Sequence, residues 1–127
     1  MYNIKTLSDI NIYLDKLRNV QLDHEYKLKR MRDLMSFLGN PQKNLNIIHV
    51  AGTSGKTSTC YYVVSLLKQA GYTTGLSVSP HIDEINERLQ INLNPLKISE
   101  FIDVFNDFCK IIETFDQNIT YFEFFIA

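Results

Sequence analysis

The stretch His49–Cys60, HVAGTSGKTSTC, constrains this chain more than any other. It closes the apolar run Asn46–Ala51, turns through Gly52 and Gly55, and enters a helical pattern at Lys56. A short run rich in branched residues reads as a buried strand. The pattern after it, with Cys60, Val63, Val64 and Leu67 on one side, reads as a helix from about Lys56 to Ala70, ended by Gly71. Such a junction leaves backbone N–H groups unpaired at the positive end of the helix dipole, an arrangement that suits phosphate oxygens. Gly52, Thr53, Ser54 and Gly55 would form the cradle, and the Lys56 ammonium would face the outer phosphates. Thr57 or Ser58 offers a hydroxyl to Mg²⁺, an ion otherwise held largely by water and phosphate. The competing reading is a strand-to-helix turn with no ligand, and the flanking strand and helix favour phosphate. The common phosphate loop starts with a glycine five residues before its Gly-Lys pair. Val50 stands there, so this is a shorter loop type.

The surrounding pattern predicts an α/β fold, a phosphate-loop parallel sheet flanked by helices. Leu7, Ile10, Leu14 and Leu17 repeat at helical spacing, as do Leu28, Met31, Leu34, Met35 and Leu38. The second helix should stop at Gly39-Asn40-Pro41, its polar face of Lys27, Lys29, Arg30 and Arg32 being solvated. Thr73–Val78 reads as a second strand, parallel to the first across a right-handed crossover. Arg88–Leu93 alternates polar and apolar residues, as an exposed strand or extended arm would. A further helix begins near Ser99, its expected N-cap, and buries Ile102, Phe105, Cys109, Ile112 and Phe115. Near the end, Thr120 precedes Glu123 by the spacing of a capping box.

Composition adds exclusions. A net charge of -1 gives no electrostatic argument for nucleic acid or an anionic membrane. The apolar stretches are too short to span a bilayer, and the first residues read neither as a signal nor as a transit peptide. Cys60 and Cys109 lie far apart without a Cys-x-x-Cys motif, which fits reduced structural thiols in a cytoplasmic protein.

Five stretches then occur in order: LGNPQ at Leu38–Gln42, HVAGTSGKTST at His49–Thr59, SPH at Ser79–His81, NERLQIN at Asn86–Asn92 and ITYFEF at Ile119–Phe124. Together they closely resemble the N-terminal part of folylpolyglutamate synthase and dihydrofolate synthase, in the Mur ligase superfamily. The resemblance implies an ATP- and Mg²⁺-dependent ligase. It would phosphorylate a dihydropteroate or folate carboxylate and pass the acyl group to the amine of L-glutamate. Lys56 would be its catalytic lysine, with the ATP loop at Gly52, Thr53, Ser54, Gly55, Lys56, Thr57 and Ser58. Ser79 and Thr57 match the metal-side hydroxyls. Thr120 matches a pterin contact, for which its capping role is an equal explanation, and His24, Glu25 and Tyr26 match another substrate-contacting stretch. Lys27 there replaces the family's usual glycine. In the loop, Ser54 replaces asparagine and Thr57 replaces glycine; Thr57 is frequent in the cell-wall branch.

The family's remaining metal ligands and its C-terminal domain lie beyond the matched part. The expectation is therefore the N-terminal part of an ATP-binding domain, 1–127, with a helical lead-in at about 1–44 and the C-terminal ligase domain absent. Such a chain would be inactive alone and would need that missing part. The alternatives are a Mur-type cell-wall precursor ligase and a non-catalytic ATP-binding module.

Overall fold

The computed structural model describes residues 3–18 and 27–127, so the predicted contacts His24, Glu25 and Tyr26 lie outside the described residues. The chain forms two compact units, Met1–Ile47 with Val104–Ala127, and Ile48–Asp103.

In the first unit, α1 spans Leu7–Arg18 and α2 spans Lys27–Phe37. The Asp9 carboxylate caps α1 by accepting from the backbone N–H groups of Lys5 and Thr6 and from the Thr6 hydroxyl. These bonds, the Lys5 N–H first, hold the Asp9 pKa below its ordinary value. Spacing of three and four residues places Ile10 and Leu14 in the core. Gly39, at φ 80°, closes α2 in the left-handed conformation, and the Asn40 N–H returns to the Met35 carbonyl at 2.7 Å. Leu34 is buried as its spacing requires, whereas Leu28 is exposed.

The fourth helix, α4, spans Ile98–Ile112, and α5 spans Tyr121–Ile126. From Val104 onward α4 contributes Phe105, Cys109 and Ile112 to the first core. The Phe124 ring lies 4.9 Å from Phe105 and 4.8 Å from Phe108, with Tyr13 of α1 against both Phe105 and Phe124. Aromatic pairs at these separations add to plain area burial. The capping box forms as its spacing predicts: the Glu123 carboxylate accepts from the Thr120 N–H and hydroxyl, and the Glu123 N–H donates to Thr120 Oγ1. One expectation for the polar face of α2 fails. Arg30 turns inward and pairs with Glu123 at 3.1 Å, with only 12% and 7% of the two side chains exposed.

In the second unit, α3 spans Lys56–Gln69, β1 Gly75–Ser77, β2 Leu89–Ile91 and β3 Asn94–Pro95. The sheet runs β1-β2-β3 and is antiparallel throughout, Leu76 facing Gln90 and Ile91 facing Asn94. This departs from the expected parallel sheet. The run 46–51 forms neither helix nor ladder among the described residues, and Ile47 and Ile48 are exposed. A strand needs a neighbour's backbone groups to pair with, and β1 has its described partner in β2 instead. Of the two readings of 88–93, the strand holds at Leu89–Ile91 and the extended arm does not: β2 is the middle strand and its Gln90 is buried. Gln90 Nε2 donates to the Tyr61 hydroxyl at 2.7 Å and to the Glu87 carbonyl at 2.9 Å, which satisfies its polar end. Helix α4 starts at Ile98, so the expected cap at Ser99 falls inside it; the first bond is Phe101 N–H to the Lys97 carbonyl.

Candidate functional site

The loop before α3 is built as its glycines dictate. Gly55 sits at φ 74° as the N-cap of α3, a conformation that an L side chain adopts only with strain. Its carbonyl accepts from both the Thr59 N–H and the Thr59 hydroxyl, each at 2.9 Å, which starts the helix immediately after the turn. The first N–H groups of a helix lack acceptors within it. The first turn of α3 carries no acidic residue to neutralise them. Lys56 curls back, its Nζ donating to the carbonyls of Gly52 and Thr53. The ammonium is thereby held over the loop rather than extended from the helix. Thr53, Ser54, Thr57 and Ser58 are exposed around it. Helix-start N–H groups, one ammonium and several exposed hydroxyls are the kinds of donor that can hold an anion.

Ser79 belongs to the same unit. Gln90 pairs with Leu76 of β1 and bonds Tyr61 in the second turn of α3, so mid-β1 lies level with that turn. Helix and strand are joined by the short connection 70–74, and Ser79 stands two residues past the end of β1. The Ser79–Pro80 peptide is cis. Beyond it, Glu87 accepts three backbone N–H groups from Ile82, Asp83 and Glu84, which lowers its pKa, the Glu84 bond being the largest cause. Arg88 Nε donates to His81 Nδ1 at 3.0 Å.

Among the described residues, no group of three or more His, Cys, Asp or Glu could hold a metal ion. The residues that the sequence assigned to the metal side, Thr57 and Ser79, both lie in this unit and offer hydroxyl oxygens. That set fits Mg²⁺, which binds through few protein ligands and otherwise keeps water and phosphate oxygens.

Thr120 lies in the first unit, where its hydroxyl proton goes to Glu123 Oε2 at 2.9 Å and one lone pair accepts from the Glu123 N–H. The capping role is therefore real; one lone pair remains for another donor. Sequence reasoning missed Arg30 as the partner of Glu123, and Gln90 as a buried polar link between sheet and helix. Alternation in 88–93 placed Gln90 on one face; nothing local said that this face was covered.

No protein-family model matches the chain. Curated and solved relatives do. The dihydrofolate synthase/folylpolyglutamate synthase of Bacillus subtilis is 42% identical over 90 residues, covering 71% of this chain and 21% of that protein. Mycobacterium tuberculosis folylpolyglutamate synthase complexed with ADP superposes with a TM-score of 0.82 at 28% identity, covering 94% of this chain and 27% of that one. A bifunctional folylpolyglutamate synthase/dihydrofolate synthase with Mn, AMPPNP and L-glutamate bound gives 0.78 at 30% identity, with 94% and 28% covered. The chain thus spans between about a fifth and somewhat over a quarter of these relatives' length. With the five ordered motifs and the superposition over nearly all its residues, the chain belongs to the folylpolyglutamate synthase/dihydrofolate synthase family of the Mur ligase superfamily.

Proposed function

We propose that the chain carries the nucleotide-phosphate cradle of an ATP-dependent ligase that joins L-glutamate to a dihydropteroate or folate carboxylate. The observation that carries this reading is the Gly52–Lys56 loop, with Lys56 held over it and Gly55 in the left-handed conformation at the start of α3. A carboxylate is a poor electrophile, so amide formation needs activation. Transfer of the γ-phosphoryl group gives an acyl phosphate, which the glutamate amine attacks to yield amide, ADP and phosphate. Backbone N–H groups of the loop and the start of α3 bind and orient the phosphates, and the Lys56 ammonium offsets charge on the transferring group. Mg²⁺, when bound, would supply further charge neutralisation at the phosphates, with the hydroxyls of Ser79 and Thr57 holding it. Thr53, Ser54 and Ser58 complete the cradle. Thr120, together with His24, Glu25 and Tyr26, is assigned to the pterin-bearing substrate.

The same proposal places 1–127 as the N-terminal part of the ATP-binding domain of a cytoplasmic enzyme. It assigns the run 46–51 to a parallel ladder completed by further strands, and leaves the 127 residues inactive without a C-terminal part. Thr57 keeps one other reading alive, a ligase acting on a cell-wall precursor. The test is ADP release with Mg-ATP and L-glutamate, adding dihydropteroate, tetrahydrofolate or a cell-wall precursor. It is run on the chain and on a chimera continuing past Ala127 with the rest of the Bacillus subtilis relative. Release from the chimera with a folate substrate, none from the chain alone, and none with Lys56→Ala is expected. Turnover by the chain alone would overturn the inactivity, and turnover only with the cell-wall precursor would overturn the folate assignment.

A further inference from the structure

We infer that Glu87 and Arg88 are positioning residues that clasp the loop carrying Ser79. Residues 79–84 leave the sheet at Val78 and return at the short 3-10 turn Ile85–Arg88. The loop is otherwise open to solvent, with Ile82 at its tip 97% exposed. Arg88 grips both flanks of Ser79-Pro80. On the near side, the Val78 N–H donates to the Arg88 carbonyl at 3.3 Å. On the far side, Arg88 Nε donates to His81 Nδ1 at 3.0 Å. Glu87 holds the rest: one carboxylate oxygen accepts from the Ile82 N–H at 2.8 Å, and the other from Asp83 and Glu84 at 3.1 and 3.0 Å.

Two chemical consequences follow. Both Glu87 oxygens accept from backbone N–H groups, so this acid organises the loop. His81 accepts at Nδ1 from a guanidinium, a group that donates only, so its ring proton sits on Nε2. The turn is therefore held by a carboxylate and a guanidinium adjacent in sequence, anchored through Gln90 to α3 two residues further on. Groups that orient a metal-side ligand without touching the ion affect its affinity strongly. The inference rests on the proposed role of Ser79 as a metal-side hydroxyl.

The test is calorimetric titration of the 127-residue chain with ATP alone and with ATP plus Mn²⁺, comparing wild type, Glu87→Gln and Arg88→Lys. Glutamine substitutes a donor for one of the two acceptor oxygens, and lysine lacks the planar donor that meets His81. Wild type should bind ATP more tightly with Mn²⁺ than without. Each variant should lose about tenfold in affinity for Mn-ATP while metal-free ATP binds as in wild type. Amide exchange at Ile82, Asp83 and Glu84 should quicken in Glu87→Gln. Equal loss for both nucleotide forms would reduce the clasp to ordinary structural support, and unchanged Mn-ATP binding in both variants would overturn it outright. Should Glu87→Gln fail to fold by circular dichroism, Arg88→Lys decides alone. Wild type indifferent to Mn²⁺ would overturn the reading of Ser79 and this inference with it; a Mn²⁺ gain that survives both substitutions overturns the inference only.

Discussion

Glu123 shows how one side chain serves two ranges of structure. Its local partner, Thr120, was legible three residues away, because a capping box is a short-range pattern with a fixed spacing. Its distant partner, Arg30, lies 93 residues back in the chain and was not legible. On α2 the arginine sits among Lys29 and Arg32, and helical periodicity reads such a cluster as solvated. A nearly buried ion pair is costly to break from one side, because the remaining charge keeps its desolvation penalty without its partner. Glu123→Ala should therefore cost about 3 kcal/mol of stability, measured by urea unfolding. The double variant Arg30→Met with Glu123→Leu should cost clearly less than the sum of its single changes, since it leaves no unpaired charge. Additive losses would mean that the pair contributes nothing as a pair.

At the scale of elements, helices were read with more success than strands. Of the apolar stripes read for α1, α3 and α4, Ile10 and Leu14, Val64, and Phe105, Cys109 and Ile112 are buried, whereas Leu7, Leu17, Cys60, Val63, Leu67 and Ile102 are half-buried and Phe115 lies past the end of α4. A helix satisfies its own backbone, so its existence is largely a local matter. A strand depends on what lies beside it, and here local pattern fell short. Within the expected strand Thr73–Val78, Gly75–Ser77 forms β1, but its described partner is β2 and the pairing is antiparallel. Ile47 and Ile48 look like core in sequence and are exposed, because no described strand adjoins them. The β2–β3 hairpin carries its own strain. Asn92 and Leu93 both have positive φ, 51° and 67°, in a two-residue connection between Ile91 and Asn94. Such turns require that geometry at both positions and favour Asn-Gly. Asn92 is well suited, and its side chain also accepts from the N–H and hydroxyl of Thr74. Leucine is a poor fit. Leu93→Gly should raise stability by about 0.5–1 kcal/mol, seen as a higher denaturation midpoint with unchanged m-value. A loss of stability would show that packing of the Leu93 side chain outweighs the relief of strain.

For the whole molecule, the glycine loop was the most legible feature because its chemistry is carried by backbone shape and one lysine, both written in a short stretch. The motifs that surround it identified the family, and the superposition over 94% of the chain agrees. What sequence did not give was the support behind the motifs: the Glu87 carboxylate under the Ser79 loop, the Tyr61–Gln90 link that sets the sheet level with α3, and the Arg30–Glu123 pair. Each joins residues by side-chain geometry that no periodicity encodes. The central claim is that the Gly52–Lys56 loop binds the phosphates of a nucleotide, and calorimetric titration of the 127-residue chain with Mg-ATP tests it most directly. One saturable site is expected, weakened about tenfold or more by Lys56→Ala through loss of a charge-assisted bond, with helix content unchanged. Absence of binding by the folded wild type, or equal binding by the Lys56→Ala variant, would contradict the account.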